Sequence, residues 1–530
     1  MKPTHGFFIL LVAVVASLPG ILSCGATRFE KDPRTLYVHL SAEPDHLNPV
    51  TSTDGYASNI NRHIYETLLD RDWDTLELVP QLASSWDISG DRLRYRFHLK
   101  KDVVWSDGEP FTAEDVVYSY NVIMDPKTAN APLKVYYRDI LDVKKIDEHT
   151  VEFTYRQPYY LALEICGSMP IVPEHIFNNG EDFNNHSHNR KPVGTGPYRL
   201  KEWETRDRLV LVANERYRDE LPEINRVVYR LVMEPSVALQ MLKKGDLDMM
   251  SLRAIQWVRQ TGSEKFQDNY YKLRYWLPYY NYIGWNGARG PFRDRKVRRA
   301  MTHLVNRKNI LEKLLFGQGK IVTGTFYIFS DNYNKKIEPW PYDPEEARRI
   351  LAEAGWKDSD NDGVLDKDGK KFSFTFTLSS GSKFGERLAS ILKEDLSKVG
   401  IEMDITRYEW AVFVKKLQEH DFDAITLAWS LGYSGDPYQL WHSSQIDGGS
   451  NYCSFDNREA DRIIEEARRE FDEQKRIAMY HRFGEILHEE QPYTFMYCTP
   501  ALVVVSKRFE NVKVHVKGLN FYEWTVREQQ

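Results

Sequence analysis

Between Asp91 and Asp125 the chain specifies a strand, a turn and a capped helix in direct succession, and this stretch limits the fold more than any other. Leu93, Tyr95, Phe97 and Leu99 alternate with Arg94, Arg96 and His98, the period-two pattern of a half-buried strand. A short apolar piece, Val103 to Trp105, is stopped by Ser106-Asp107-Gly108, a turn by composition. Thr112 then occupies the N-cap position of a helix. Its hydroxyl accepts from the free N–H groups of the first turn, and Glu114 and Asp115 suit the positive end of the dipole. Val116, Tyr120, Ile123 and Met124 follow at helical spacing, and Asp125-Pro126 ends the helix. A strand and a helix joined in this way are an α/β fragment.

The rest of the chain repeats that grammar. Strands are expected at Thr35–Leu40, at Val151, Phe153 and Tyr155, and at Leu209–Ala213, Val227–Val232 and Asp246–Met249. Others are expected at Tyr279–Trp285, Phe372–Leu378, Ile401–Ile405, Phe422–Trp429 and Ala501–Val505. Helices are expected at Asn59–Leu69, Pro173–Phe177 and Ser236–Lys244, the last ended by Gly245. Asp294 caps another, Asp343-Pro344 starts one that Gly355 ends, and a stripe from Leu388 to Val399 ends at Gly400. Arg458–Arg469 and Asp472–Glu490 read as a helical pair. The basic run Arg293, Arg295, Lys296, Arg298 and Arg299 reads as a solvated helix face. A length of 530 residues exceeds one core and calls for about three domains. The net charge of -6 gives no reason to expect a nucleic-acid partner. With 31 Tyr, 25 Phe and 13 Trp, there are aromatics to spare for a stacking cleft.

The apolar run from Phe7 to Leu18 follows Lys2 and has the length of a secretory h-region, too short to span a bilayer as a helix. After Pro19-Gly20 comes Ile21-Leu22-Ser23-Cys24, which resembles the cleavage site of bacterial lipoproteins, with Cys24 as the residue to be acylated. Ordinary signal cleavage beside an incidental cysteine is the plainer alternative. Cys166, Cys453 and Cys498 then remain, an odd number that argues against a disulfide framework, although Cys453 and Cys498 could pair in an oxidising compartment.

Few residue groups suggest chemistry. Val193-Gly194-Thr195-Gly196-Pro197-Tyr198 lacks the spacing and the Gly-Lys-Ser/Thr of a phosphate loop, and Pro197 removes an amide donor; its glycines serve a tight turn. Asp358, Asp360 and Asp362, followed by Gly363 and Asp366, fit the first half of a calcium loop. The twelfth position is Gly369, not Glu, so the stretch is either a structural calcium site or an acidic surface turn. His186-Ser187-His188 has no further ligand nearby, and His488-Glu489 lacks the second histidine of a zinc protease. No nucleophile, base and orienter can be connected, so nothing positive supports an enzyme, and no cofactor is expected. The stretch Trp429–Tyr438 leaves a buried strand and turns Gly-rich, the usual place for cleft contacts in α/β sheets. Trp429 offers a rigid face, and Gly432 and Gly435 let backbone amides approach a ligand.

Several of these stretches together resemble the family 5 extracellular solute-binding proteins, the dipeptide, oligopeptide and nickel receptors of ABC importers. The residues that carry the resemblance are Trp86, Val103–Pro110 and Thr112-Ala113-Glu114-Asp115-Val116. Leu47-Asn48-Pro49, Tyr65-Glu66-Thr67-Leu68 and Gly194–Tyr198 add to it, as do Asn286, Pro291-Phe292, Val297-Arg298 and Ala300. The resemblance implies an α/β fold of the periplasmic-binding-protein type II kind, two hinged lobes with an extra domain inserted in the first. It assigns 1–23 to a signal peptide and 24–34 to a lipidated tether. Lobe 1 would be 35–80, 195–284 and 499–530, the insert 81–194, and lobe 2 285–498. The implied function is that of a lipid-anchored monomeric receptor outside the cytoplasm. It captures a peptide or peptide-like solute between its lobes and delivers it to the membrane permease. A receptor of the same fold for oligosaccharide or chelated metal is the alternative, and a secreted hydrolase the alternative of another class. The family's peptide branch follows the Trp at Trp429 with an Asp for the α-amino group; here Gly432 or Tyr433 stands in that place, and Asp436 matches an acidic residue before a Pro. Tyr408-Glu409-Trp410 matches a pocket segment of the dipeptide receptors, and Arg387 the position of their carboxylate-binding Arg. The implied ligand-binding residues are therefore Trp429, Tyr433, Asp436, Trp410 and Arg387.

Overall fold

The structure is a computed structural model and describes residues 32–527. Cys24 and the expected signal and lipidation segment lie outside the described residues, apart from 32–34.

The signature stretch folds as a strand, Arg94–Leu99, and a helix, Ala113–Met124, joined through a pinned turn. Thr112 Oγ1 accepts from the Glu114 amide at 3.2 Å, and the Thr112 amide donates to Asp115 Oδ2 at 2.9 Å, a reciprocal capping box. The buried Asp115 also accepts from the Glu174 amide at 2.9 Å and from Trp105 Nε1 at 3.4 Å. One carboxylate therefore ties the helix start to the turn and to the short helix Glu174–Phe177. Burial pushes its pKa up, against the pull of these donors. The strand belongs to a four-stranded antiparallel sheet, in the order Ala83–Ile88, Arg94–Leu99, Thr150–Tyr155, Ile140–Asp147.

A seven-stranded sheet gathers distant segments. Its order is Tyr270–Trp276, Pro500–Ser506, Met249–Ser251, Thr35–Leu40, Arg226–Leu231, Arg208–Ala213 and Tyr198–Glu204. Thr35–Leu40 runs parallel to both of its neighbours. A five-stranded sheet follows the order Glu402–Tyr408, Ser373–Ser379, Ala424–Ser430, Tyr279–Trp285, Tyr493–Phe495, with helices 295–303, 344–353 and 383–397 built on its core. The chain passes from the seven-stranded to the five-stranded sheet at Leu277-Pro278, since Tyr270–Trp276 pairs with Pro500–Ser506 and all of Tyr279–Trp285 pairs with Ala424–Ser430. It returns between Cys498 and Pro500.

Other expectations shift locally. The helix expected at Asn59–Leu69 forms instead at Gly55–Asn61, because Asp54 caps it through the Ala57 amide at 2.7 Å. Leu69 then opens a short strand, Leu69–Arg71. The return after Gly245 becomes a strand only at Met249–Ser251. Within the basic run, Arg298 is buried, not solvated: it pairs with Glu490 at 3.1 Å and donates to the carbonyls of Phe292 and Glu490. Cys166, Cys453 and Cys498 are buried free thiols, and burial pushes the thiol of each upward, that of Cys498 to about 11.

Gly194 and Gly196 serve close approach. A side chain at Gly194 would put its Cβ 1.9 Å from the Ile64 carbonyl oxygen, and the Gly196 amide donates to that oxygen at 2.8 Å. Among the described residues, no helix is long and apolar enough to cross a membrane.

Candidate functional site

The strand Ala424–Ser430 is central in its sheet and runs out into a loop that meets both other sheet systems. Its register places Trp429 opposite Tyr280. The Trp429 ring lies parallel to Tyr282 (6.3 Å, 8°) and to Tyr452 (5.9 Å, 22°), and Nε1 donates to the Tyr493 hydroxyl at 3.4 Å. These contacts hold a half-buried indole in one orientation. Just after the strand, the Leu431 amide donates to the carbonyl of Pro278, at the crossing between the sheets, at 2.8 Å. A Cβ at Gly432 would meet nothing within 4 Å, so the backbone is open there.

Tyr433 reaches across the gap. Its hydroxyl donates to the Val516 carbonyl at 3.4 Å, and its ring stands edge-on to Tyr327 at 5.8 Å. On the facing wall Arg62, just past its short helix, donates to the Leu519 carbonyl at 2.9 Å and lies 5.1 Å from the centre of the Trp73 ring. Lys517 lies 4.8 Å from the centre of the same ring and pairs with Asp70 at 2.7 Å. Arg62 is exposed, yet desolvation by the surrounding protein pulls its pKa below the usual arginine value, and no carboxylate of the described residues forms an ion pair with it. Burial likewise pushes the Tyr433 hydroxyl up, while Arg62 pulls it down. The result is a group of aromatic rings beside an arginine that no carboxylate pairs directly, with Asp70 acting on it at longer range.

The far end of the loop is fastened to residues flanking the four-stranded sheet. Ser434 Oγ donates to Glu164 Oε2 at 2.7 Å, with Arg71 bonded to both residues. The Tyr160 hydroxyl donates to the Gly435 carbonyl at 3.1 Å. Asp436 Oδ2 accepts from the buried Tyr159 hydroxyl at 2.7 Å and pairs with Arg468 Nε at 3.0 Å. Arg468 also pairs with Asp139 at 3.2 Å and lies between the rings of Tyr159 and Tyr438, 4.4 and 4.6 Å from their centres. Asp436 is thus held by a hydrogen-bonded, desolvated cluster spanning two sheet systems.

The residues singled out from sequence therefore separate. Trp429, Tyr433 and Asp436 share one loop. Trp410 is 57% exposed, stacks on Phe413 at 5.8 Å, and makes no hydrogen bond or ring contact with that loop. Arg387 is exposed on the helix Lys383–Ser397 and likewise makes none. Asp358, Asp360 and Asp362 each bring one carboxylate oxygen within 4.8 Å of the others, a donor set suited to a hard cation. Asp366 turns to Ser359 instead, accepting from its amide at 2.8 Å and its hydroxyl at 2.6 Å, and Lys371 takes Asp362. His186 is buried against Phe177 and caps the turn that follows by accepting from the His188 amide at 3.1 Å. Arg62, Lys517, Tyr159 and Arg468 have roles that no local sequence pattern marks. Their only signal in the sequence is a charged or aromatic residue at an element end, with partners far away in the chain.

Comparison with known proteins gives these features a family. The family described as "Bacterial extracellular solute-binding proteins, family 5 Middle" matches residues 77–451. The "Oligopeptide-binding protein AppA" of Bacillus subtilis (strain 168) is 34% identical over 502 residues, covering 92% of this chain and 91% of that protein. The solved structure of that Bacillus subtilis protein with a nonapeptide superposes with a TM-score of 0.83 at 32% identity, over 93% of this chain and 99% of the other. The structure of NikZ from Campylobacter jejuni in complex with Ni(L-His) superposes with a TM-score of 0.80 at 26% identity, over 93% and 100%.

Proposed function

The chain belongs to the bacterial extracellular solute-binding proteins of family 5, and from that premise we propose that it is the peptide-capturing receptor of an ABC importer. Its two-lobe α/β fold is of the periplasmic-binding-protein type II kind, and its place is outside the cytoplasm. The solute would lie between the seven-stranded and five-stranded sheets, against Trp429, the open backbone at Gly432, Tyr433 and Arg62. Asp436 serves this site by holding the loop, while Trp410 and Arg387 stand outside it. The observation that carries the reading is the loop Trp429–Asp436, which presents an aromatic face to the cleft and is hydrogen-bonded to the opposite side. Binding shifts the population toward the closed form, and closure is what the permease senses.

Ile21-Leu22-Ser23-Cys24 supports a lipid anchor on Cys24, with residues after it as a tether. A monomer suffices for the mechanism. Catalysis plays no part, in keeping with a family of binding proteins.

Titration calorimetry of purified protein with a graded series of peptides tests this. Saturable one-to-one binding, with the peptide recovered intact, is expected. A second reading, a chelated metal as the guest, is supported by the structural likeness to a protein holding Ni(L-His). Binding of nickel–histidine but of no peptide would favour it.

A further inference from the structure

The inserted sheet system and the helical pair at 458–490 flank an open pocket of about 370 Å³, with Arg156, Glu465 and Arg469 exposed at its mouth, whose lining shares none of Trp429, Tyr433 and Arg62. Four guanidinium groups line it, those of Arg138, Arg156, Arg468 and Arg469, against the carboxylates of Asp139 and Glu465. Arg468 is neutralised by Asp436 and Asp139. Glu465 is engaged by the His442 ring at 3.2 Å. Arg138 lies over the Tyr438 ring, 4.5 Å from its centre. Among the described residues, no carboxylate forms an ion pair with Arg138, Arg156 or Arg469. Arg469 ends its helix, where the carbonyl end favours a cation. That leaves Arg156, exposed on the facing wall, with no side-chain partner among the described residues. Like charges brought together across a seam oppose its closure, and a concave site with protein walls concentrates their field. Guanidinium forks match the oxygens of carboxylate and phosphate groups.

We propose that this cavity binds a small polyvalent oxyanion, of the phosphate or polycarboxylate type, and that the anion clamps the insert to the second lobe. It is a site separate from the solute cleft and does not depend on what the cleft holds.

The test compares wild-type protein with the double variant Arg156→Gln/Arg469→Gln, in sodium chloride, sodium phosphate and sodium citrate at matched ionic strength. Thermal unfolding and titration calorimetry are the readouts. In wild type, phosphate or citrate raises the unfolding midpoint saturably above the chloride value. Phosphate alone assigns the phosphate class, and citrate alone the polycarboxylate class. The double variant binds the anion about tenfold more weakly or worse and, in chloride, unfolds close to wild type, the relieved repulsion offsetting the lost helix-end charge of Arg469. Identical anion responses in the two proteins overturn the proposal. So does a wild-type midpoint that follows ionic strength alone. A variant that unfolds well below wild type in chloride also overturns it, since the arginines would then be structural.

Discussion

Trp429 is held by Tyr282, Tyr452 and Tyr493 with part of its indole left to the cleft. Trp429→Ala is expected to weaken solute binding by about 1–3 kcal/mol, the range for an interface aromatic. Calorimetry reads the affinity, and unchanged affinity would make the residue part of the core alone. His488 contributes to acid sensitivity. Its ring stacks on Trp340 at 4.7 Å, and burial, with Arg307 and Arg299 nearby, pulls its pKa down to about 4. Between pH 6.5 and that value the unfolded chain binds the proton and the folded one does not, so stability is lost as pH falls. Screened by the solvent at its exposed edge, His488 contributes roughly 1–2 kcal/mol between pH 7.5 and 4.5. His488→Phe keeps the stack and is expected to lose less stability over that interval in denaturant titrations; an unchanged pH slope would refute this. At this scale the sequence shows residues whose role is local, such as Thr112. It hides Arg62 and Arg468, since nothing near Arg468 in the sequence points to Asp139 as its partner.

Whole elements were easier to read, because periodicity and caps are local signals. The strand at Tyr279–Trp285 and the helix pair 458–469 and 473–490 fall where their patterns put them. The helix near residue 60 failed for a physical reason: the apolar residues Ile64 and Leu68 continue the helical spacing, but they are buried in a turn and a strand entry instead. Glu66 in that segment makes a bidentate, buried pair with Arg218 at 2.7 and 2.8 Å, a constraint that no local pattern reveals. Two substitutions test the element joints. Thr112→Ala removes one arm of the capping box and should cost about 1 kcal/mol. Gly194→Ala drives a methyl into the Ile64 carbonyl and should cost about 1–3 kcal/mol or more. Equilibrium unfolding measures both, and a Gly194→Ala protein as stable as wild type would show that the strand entry yields easily.

At the scale of the molecule, the question is what holds two lobes shut. The cluster of Asp436, Arg468, Tyr159 and Asp139 is desolvated and crosses the seam. Asp436→Asn deprives Arg468 of a buried counter-charge, a change that costs about 3–5 kcal/mol when a buried pair is broken. The lobes retain their own cores, so the expected effect is a more open average shape and weaker solute binding, read by calorimetry; full affinity in this variant would remove the cluster from the closing mechanism. The two-lobe architecture was legible through the family resemblance. The seam was not, because it is made by side chains from three sheet systems that only the folded chain brings together. Small-angle X-ray scattering of the solute-free protein, before and after saturation with a binding peptide, tests the central claim most directly. A radius of gyration that falls on binding, with the peptide recovered uncleaved, is the predicted result. An unchanged radius at saturation would contradict capture by closure of the lobes.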